Sequence, residues 1–361
     1  MRKNLRQTLV LTAAASALAF SLGAPARALN FNFSYGSGIT EGDAADLGFK
    51  QAATLWSSLL TDNITVNIEI DLQALGAGVL GQAGSAVGSV SYANIRSALV
   101  ADAISADDLT ATSNLQTGPL NIYMNRTATS PGNTPYLDNN NSFNNNNLSA
   151  NTANLKALGF NVGSGLDAAI TFSSNFAFDF DRSNGIGAGQ FDFVGIAAHE
   201  IGHALGFVSA ADYFDESPGL NENGTFDGAS ILDLFRFSTE SVAAGGLRTI
   251  DITADSRNKF FSLDGGATPL TPTARFSTGA FNGDGSQASH WKDNLGSGIM
   301  DPTAASGELL LISELDLRAL DVMGYNRIVA LPEPSTFALM GLGGMLLGGV
   351  AVRRGRNRRS N

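Results

Sequence analysis

The sequence predicts an α+β fold with a mixed sheet, one helix carrying the candidate functional residues, and a loop-rich C-terminal subdomain. Three observations lead to it. Residues 64–72 (ITVNIEIDL) alternate apolar and polar, as a half-buried strand does. Residues 44–60 set apolar side chains at helical spacing. Beyond Asp192, a candidate N-cap, an apolar run leads into His199-Glu200-Ile201-Gly202-His203-Ala204-Leu205-Gly206-Phe207, with Gly206 where a helix would turn out through a left-handed residue.

Taken in order, residues 1–28 read as a signal peptide. Arg2, Lys3 and Arg6 precede an apolar stretch at 9–22, and Ala26-Arg27-Ala28 forms an A-x-A cleavage site, so the mature chain is expected to begin at Leu29. One domain then spans 29–330. Residues 30–34 read as a short strand, 76–88 as a glycine-rich loop, 92–104 and 106–115 as helices, and 120–124 as a strand. The asparagine-rich run 131–154 reads as an exposed loop. Residues 166–181 read as a strand, a turn and a second short strand. The segment 231–237 is apolar and of undecided type, 282–285 a tight turn, and 313–325 a closing amphipathic helix.

Composition narrows the function. The chain has 361 residues, 41 glycines and no cysteine. No disulfide, thiolate ligand or thiol nucleophile is therefore available, and a sizeable core and metal ions are the expected sources of stability. Setting aside the four basic residues of 1–28, and the five arginines and one acid beyond residue 331, leaves 13 basic against 32 acidic residues, a net charge of −19. A body this acidic will not hold nucleic acid through its phosphates. It suits cations, structural calcium among them. Asp179, Asp181 and Asp192 are candidates for calcium, although Asn184 stands where an EF-hand loop needs glycine; solvated turn acids are the preferred reading.

The stretch at 199–207 carries the chemistry. At about 3.6 residues per turn His199 and His203 share one helix face, and neutral imidazole is a standard zinc donor. Glu200 lies roughly 100° round the axis, able to act as general base without binding the metal. That is the mechanical content of H-E-x-x-H. Chance occurrence is the competing explanation, but two of the chain's three histidines fall here, on an apolar helix where an unpaired imidazole is costly.

A catalytic zinc takes three protein ligands. In the long form of the motif a third histidine stands three residues beyond the glycine; here that position is Ser209. His290, in Ser289-His290-Trp291, is the preferred third ligand, with Asp212, Asp215 and Glu216 as competitors. On this assignment Asp212 and Glu216 are expected to be dispensable for zinc.

HEIGHALGF, a distant SHW and then Gly298-Ile299-Met300-Asp301-Pro302 together resemble the metzincin zinc proteases, most closely the leishmanolysin-like arrangement with its long insertion before the third histidine. The resemblance covers about residues 160–325. It implies a zincin-type catalytic domain, zinc on His199, His203 and His290, Glu200 as the base, and Met300 as the Met-turn residue under the metal. It also implies hydrolysis of a protein or peptide substrate. Ile170, Thr171, Phe172 and Ser173, the strand before the helix, are the expected edge for pairing with extended substrate. A non-catalytic metal-binding adhesin is the alternative.

The tail, 331–361, holds Pro332-Glu333-Pro334, an apolar stretch at 337–352 and five arginines. It resembles the PEP-CTERM sorting signal of Gram-negative bacteria, processed by an exosortase. That resemblance implies export and membrane contact through the apolar stretch before processing.

Overall fold

The computed structural model describes residues 29–223 and 228–328. The expected signal peptide and the sorting tail lie outside the described residues. Mixed α+β architecture is observed. The elements run β1 (Asn30–Tyr35), α1 (Ala44–Ser57), β2 (Thr65–Gln73), β3 (Gly81–Ser85), β4 (Val87–Ser91), α2 (Tyr92–Asp102), α3 (Ala106–Ser113), β5 (Ile122–Met124) and β6 (Tyr136–Asp138). They continue with α4 (Phe143–Asn146), β7 (Asn147–Asn151), α5 (Thr152–Ala157), β8 (Ala168–Ser173), β9 (Phe178–Asp179), β10 (Phe191–Asp192), α6 (Phe193–Ala204) and α7 (Ala211–Glu216). Last come β11 (Arg236–Phe237), α8 (Thr239–Gly245), β12 (Ile250–Asp251), β13 (Lys259–Phe261), β14 (Arg275–Phe276) and α9 (Glu314–Val322). The undecided segment 231–237 is a 3-10 turn, Leu232–Phe235, followed by β11.

The central sheet has four strands in the order β1-β2-β8-β3. The first three are parallel and β3 is antiparallel to β8. Alternation in β2 sends Val66, Ile68 and Ile70 into the core, as the pattern demands. α1 and α6 pack together beneath the sheet. Phe49, Phe172 and Phe193 interlock there at centroid distances of 4.6–5.3 Å. Trp56 is fully buried and donates its indole N–H to the Ala198 carbonyl at 2.8 Å, tying α1 to the middle of α6.

Three expectations are corrected. Residues 170–173 do not form a sheet edge: β8 pairs on both sides, with β2 and with β3, so its backbone groups are already used. The outer strand on the α6 side is β3, inside the stretch expected to be a glycine loop, and β1 is the outer strand at the other end. A side chain at Gly81 would fit tightly, because a Cβ there would lie 3.1 Å from Glu200 Oε1 and 3.2 Å from the Phe172 ring. The asparagine-rich run is also not an exposed loop. It contains β6, α4, β7 and the start of α5, and Asn144, Asn145, Asn151 and Asn154 are buried. Their amides satisfy other groups: Asn145 Nδ2 donates to Leu120 O at 2.9 Å, Asn151 Nδ2 to His203 O at 2.9 Å and Asn154 Nδ2 to Met323 O at 2.7 Å.

Candidate metal centre

α6 starts where Asp192 accepts the Gly195 N–H at 2.9 Å, while its second oxygen meets Arg182 at 3.0 Å and the Leu310 N–H at 3.1 Å. It ends at Gly206, whose φ of +118° only glycine adopts cheaply. The turn closes with Phe207 N–H on Gly202 O at 3.1 Å. It also brings the Phe207 carbonyl to 2.7 Å from His203 Nδ1. The glycine after the second histidine therefore shapes the helix end and orients the imidazole one turn before it.

The other two rings are oriented in the same way. His199 Nδ1 lies 2.7 Å from the Ile299 carbonyl, and His290 Nδ1 lies 3.2 Å from the Gln287 carbonyl. A carbonyl can only accept, so each Nδ1 carries the proton and each Nε2 presents a lone pair. The three Nε2 atoms face one another at 3.1, 3.1 and 3.2 Å. A tetrahedral ion with bonds of about 2.0–2.1 Å calls for nitrogen separations of about 3.3 Å, so the set matches a cation's requirement. The carbonyls behind the rings are the usual outer partners of metal-binding histidines. Burial pushes all three imidazoles below their ordinary range, His203 to about 3, which keeps them neutral. Three neutral rings with converging lone pairs repel unless a cation lies between them. Among the described residues this is the only group of three or more histidine or acidic side chains whose ligand atoms converge this closely.

Glu200, only 5% exposed, lies between α6 and the edge strand β3. Its carboxylate has no hydrogen-bond partner among the described residues, and burial pushes it up to about 8. Met300 is buried against the helix backbone between the histidines: a Cβ on Gly202 would lie 2.4 Å from its Sδ.

The acids weighed against His290 lie elsewhere. Asp215 accepts the Phe281 and Asn282 N–H groups, both at 2.8 Å. Glu216 is exposed. Asp212 accepts the Ala288 and Ser289 N–H groups at 2.5 and 3.0 Å, two residues and one residue before His290, and does not face the three rings as a ligand. Ser209 donates to Asp233 at 2.6 Å, away from the histidines. Asp179 and Asp181 accept local turn N–H groups, and Asp192 is the helix cap. These three do not converge on a cation.

The chain matches the PEP-CTERM protein-sorting motif over residues 330–357. Such a motif is recognised by an exosortase-type sorting enzyme and implies export and sorting to the cell envelope of a Gram-negative bacterium. No curated protein and no solved structure matches the chain. No helix among the described residues is long and apolar enough to cross a membrane.

Sequence reasoning missed Asp316 as a site residue. It is fully buried, and it accepts the Trp291 indole N–H at 2.8 Å, the Ile299 N–H at 2.8 Å and the Ser313 N–H at 2.7 Å. One carboxylate thereby fixes the residue after His290, the residue whose carbonyl orients His199, and the start of α9. The readable signal was Ser313-x-x-Asp316, a capping-box pattern ahead of an apolar-periodic stretch.

Proposed function

We propose that the exported body is a zinc-dependent endopeptidase of the metzincin type. The observation that carries the proposal is the convergence of three lone-pair-bearing Nε2 atoms near a buried carboxylate that has no hydrogen bond among the described residues. His199, His203 and His290 would hold the ion. Zinc in such a setting supplies a Lewis acid that brings the pKa of water to about 7 and polarises a carbonyl.

Glu200 acts as the base. It stands one residue after a candidate ligand, on the helix flank facing β3, and a nearby dication favours its ionised form against the effect of burial. There it takes the proton of the attacking water and returns it to the leaving amine. Met300 fills the space behind the histidines and holds their helix in register with the 299–301 turn. Extended substrate pairs with β3, whose outer edge carries no strand.

The test is zinc analysis and casein hydrolysis by the purified body, with and without chelator, beside Glu200→Gln. The variant is expected to keep about one zinc per chain and to lose activity by roughly 10²-fold or more. Hydrolysis at the wild-type rate in the variant would sink the mechanism. Zinc binding with no hydrolysis in either protein would favour the adhesin reading.

A further inference from the structure

His290 follows Gly206 by 84 positions, yet its ring meets those of α6 at 3.1–3.2 Å. No regular element carries it: it sits in a loop between β14 and α9. We propose that Asp212 and Arg236 are positioning residues, a two-sided clamp on the peptide units around His290 that sets how tightly the centre holds its metal. The inference rests on the zinc reading above.

Asp212 grips one side. Its Oδ1 accepts the Ala288 N–H at 2.5 Å, and its Oδ2 accepts the Ser289 N–H at 3.0 Å and the Ser289 hydroxyl at 2.6 Å. The same hydroxyl oxygen accepts the Ser209 N–H at 2.8 Å, which joins the loop to the chain leaving α6. Arg236 grips the other side. Its Nη1 donates to the Ala288 carbonyl at 3.3 Å and its Nη2 to the Ser277 carbonyl at 2.9 Å, and the Ser277 N–H donates to the His290 carbonyl at 3.0 Å. Both faces of residue 288 and the carbonyl of His290 are thus fixed.

Arg236 is fully buried, lies over the Phe276 ring at 4.9 Å, and gives its third hydrogen bond to the Asp251 carbonyl at 3.1 Å. Among the described residues it forms no ion pair, and all three of its hydrogen bonds go to main-chain carbonyls. A buried guanidinium is costly, and a lysine could not span two carbonyls with a rigid fork. Outer partners that orient a metal-binding histidine are worth about 10–100-fold in metal affinity. Here the partners act on the backbone that delivers the ring.

The experiment measures zinc affinity by competition with a chromogenic chelator, and the visible spectrum of the cobalt form. It compares the full folded body, Asp212→Ala, Asp212→Asn, Arg236→Lys and His290→Ala. Asp212→Ala and Arg236→Lys are expected to bind roughly tenfold or more weakly per folded molecule, with far-UV circular dichroism close to wild type, a lower chelated-state melting temperature from the stranded partners, and an altered cobalt spectrum. Asp212→Asn, which keeps one acceptor oxygen, should recover part of the loss. Wild-type affinity in Asp212→Ala and Arg236→Lys overturns the clamp. So does a loss that only follows unfolding, with Asp212→Asn no better than the alanine. Equal affinity in wild type and His290→Ala, or no zinc in wild type, would overturn the metal reading itself and leaves a different signature from a failed clamp.

Discussion

The two sides of the candidate centre are built from different materials. His199 and His203 come from a helix held by carbon, with Trp56, Phe172, Phe193, Ile201 and Leu205 buried around it. His290 comes from a loop held mainly by polar side chains, the half-buried Asp212 and the buried Arg236, Ser289 and Asp316, with Trp291 as its one large apolar anchor among Phe207, Phe261 and Phe276. A helix delivers two rings to one face by periodicity alone. A loop has no periodicity, so each peptide unit needs a named partner. The helical side should therefore fail by losing stability, and the loop side by losing geometry.

Substitution on each side breaks or sharpens that contrast. Trp56→Ala removes a fully buried indole and leaves the Ala198 carbonyl without its donor. It should cost about 3–5 kcal/mol, read by urea denaturation in chelator, with zinc affinity per folded molecule little changed. Asp316→Ala strands the Trp291, Ile299 and Ser313 donors. It should cost stability too, at about 1–3 kcal/mol for each stranded buried donor, and unlike Trp56→Ala it should also cost zinc affinity per folded molecule. A selective loss of zinc in Trp56→Ala, with stability intact, would contradict the division of labour.

The same contrast explains what the sequence revealed. α6 and its cap, β1, β2, β8 and α9 were legible because apolar spacing reports a buried face directly. β3 was not, because Gly81-Gln82-Ala83-Gly84-Ser85 is shaped by the side chains that must fit beside it, Glu200 and Phe172, and those come from other elements. Strand order was illegible for the same reason: nothing within Ile170–Ser173 says that β3 will cover it. Asn144, Asn145, Asn151 and Asn154 read as loop by composition, yet each serves as a hydrogen-bond partner inside the fold. His290 was reachable as the one histidine left, whereas the pairing of Asp212 with Ala288 and Ser289, 76 and 77 positions on, leaves no local trace.

Glu200, on the helix flank facing β3, gives a signal that depends on pH. Burial raises its folded, metal-free value to about 8, against an ordinary 4.5. The folded state therefore holds that proton more tightly than the unfolded state. Its contribution is complete below about pH 4.5 and is lost as pH rises through about 8. In chelator, wild type should lose stability relative to Glu200→Gln across that window, by up to about 1.4 kcal/mol per pH unit. Saturating zinc should flatten the difference, since a nearby cation favours the carboxylate. Urea midpoints that run parallel for the two proteins from about pH 5 to about pH 8 would refute this.

The smallest expected effect tests the corrected sheet edge. In the antiparallel β3–β8 pair, hydrogen-bonded and non-bonded positions alternate. The Ser173 N–H donates to the Leu80 carbonyl at 2.9 Å and the Ala86 N–H to the Asp167 carbonyl at 2.7 Å. Even-numbered positions of β3 therefore face β8, and the N–H of Ala83, opposite Ile170, points to the free side. Proline is tolerated on an edge strand where its missing N–H faces outward. Ala83→Pro should leave the β8 ladder and zinc content intact but deny a substrate one main-chain hydrogen bond, worth about 0.5–1.5 kcal/mol. The loss should appear as a rise in KM of up to roughly tenfold. Gln82→Pro, one residue away, removes an inward N–H and should instead lower thermal stability. If Ala83→Pro cleaves casein with an unchanged KM, the substrate does not lie along β3, and the free edge beside Glu200 has no part in binding.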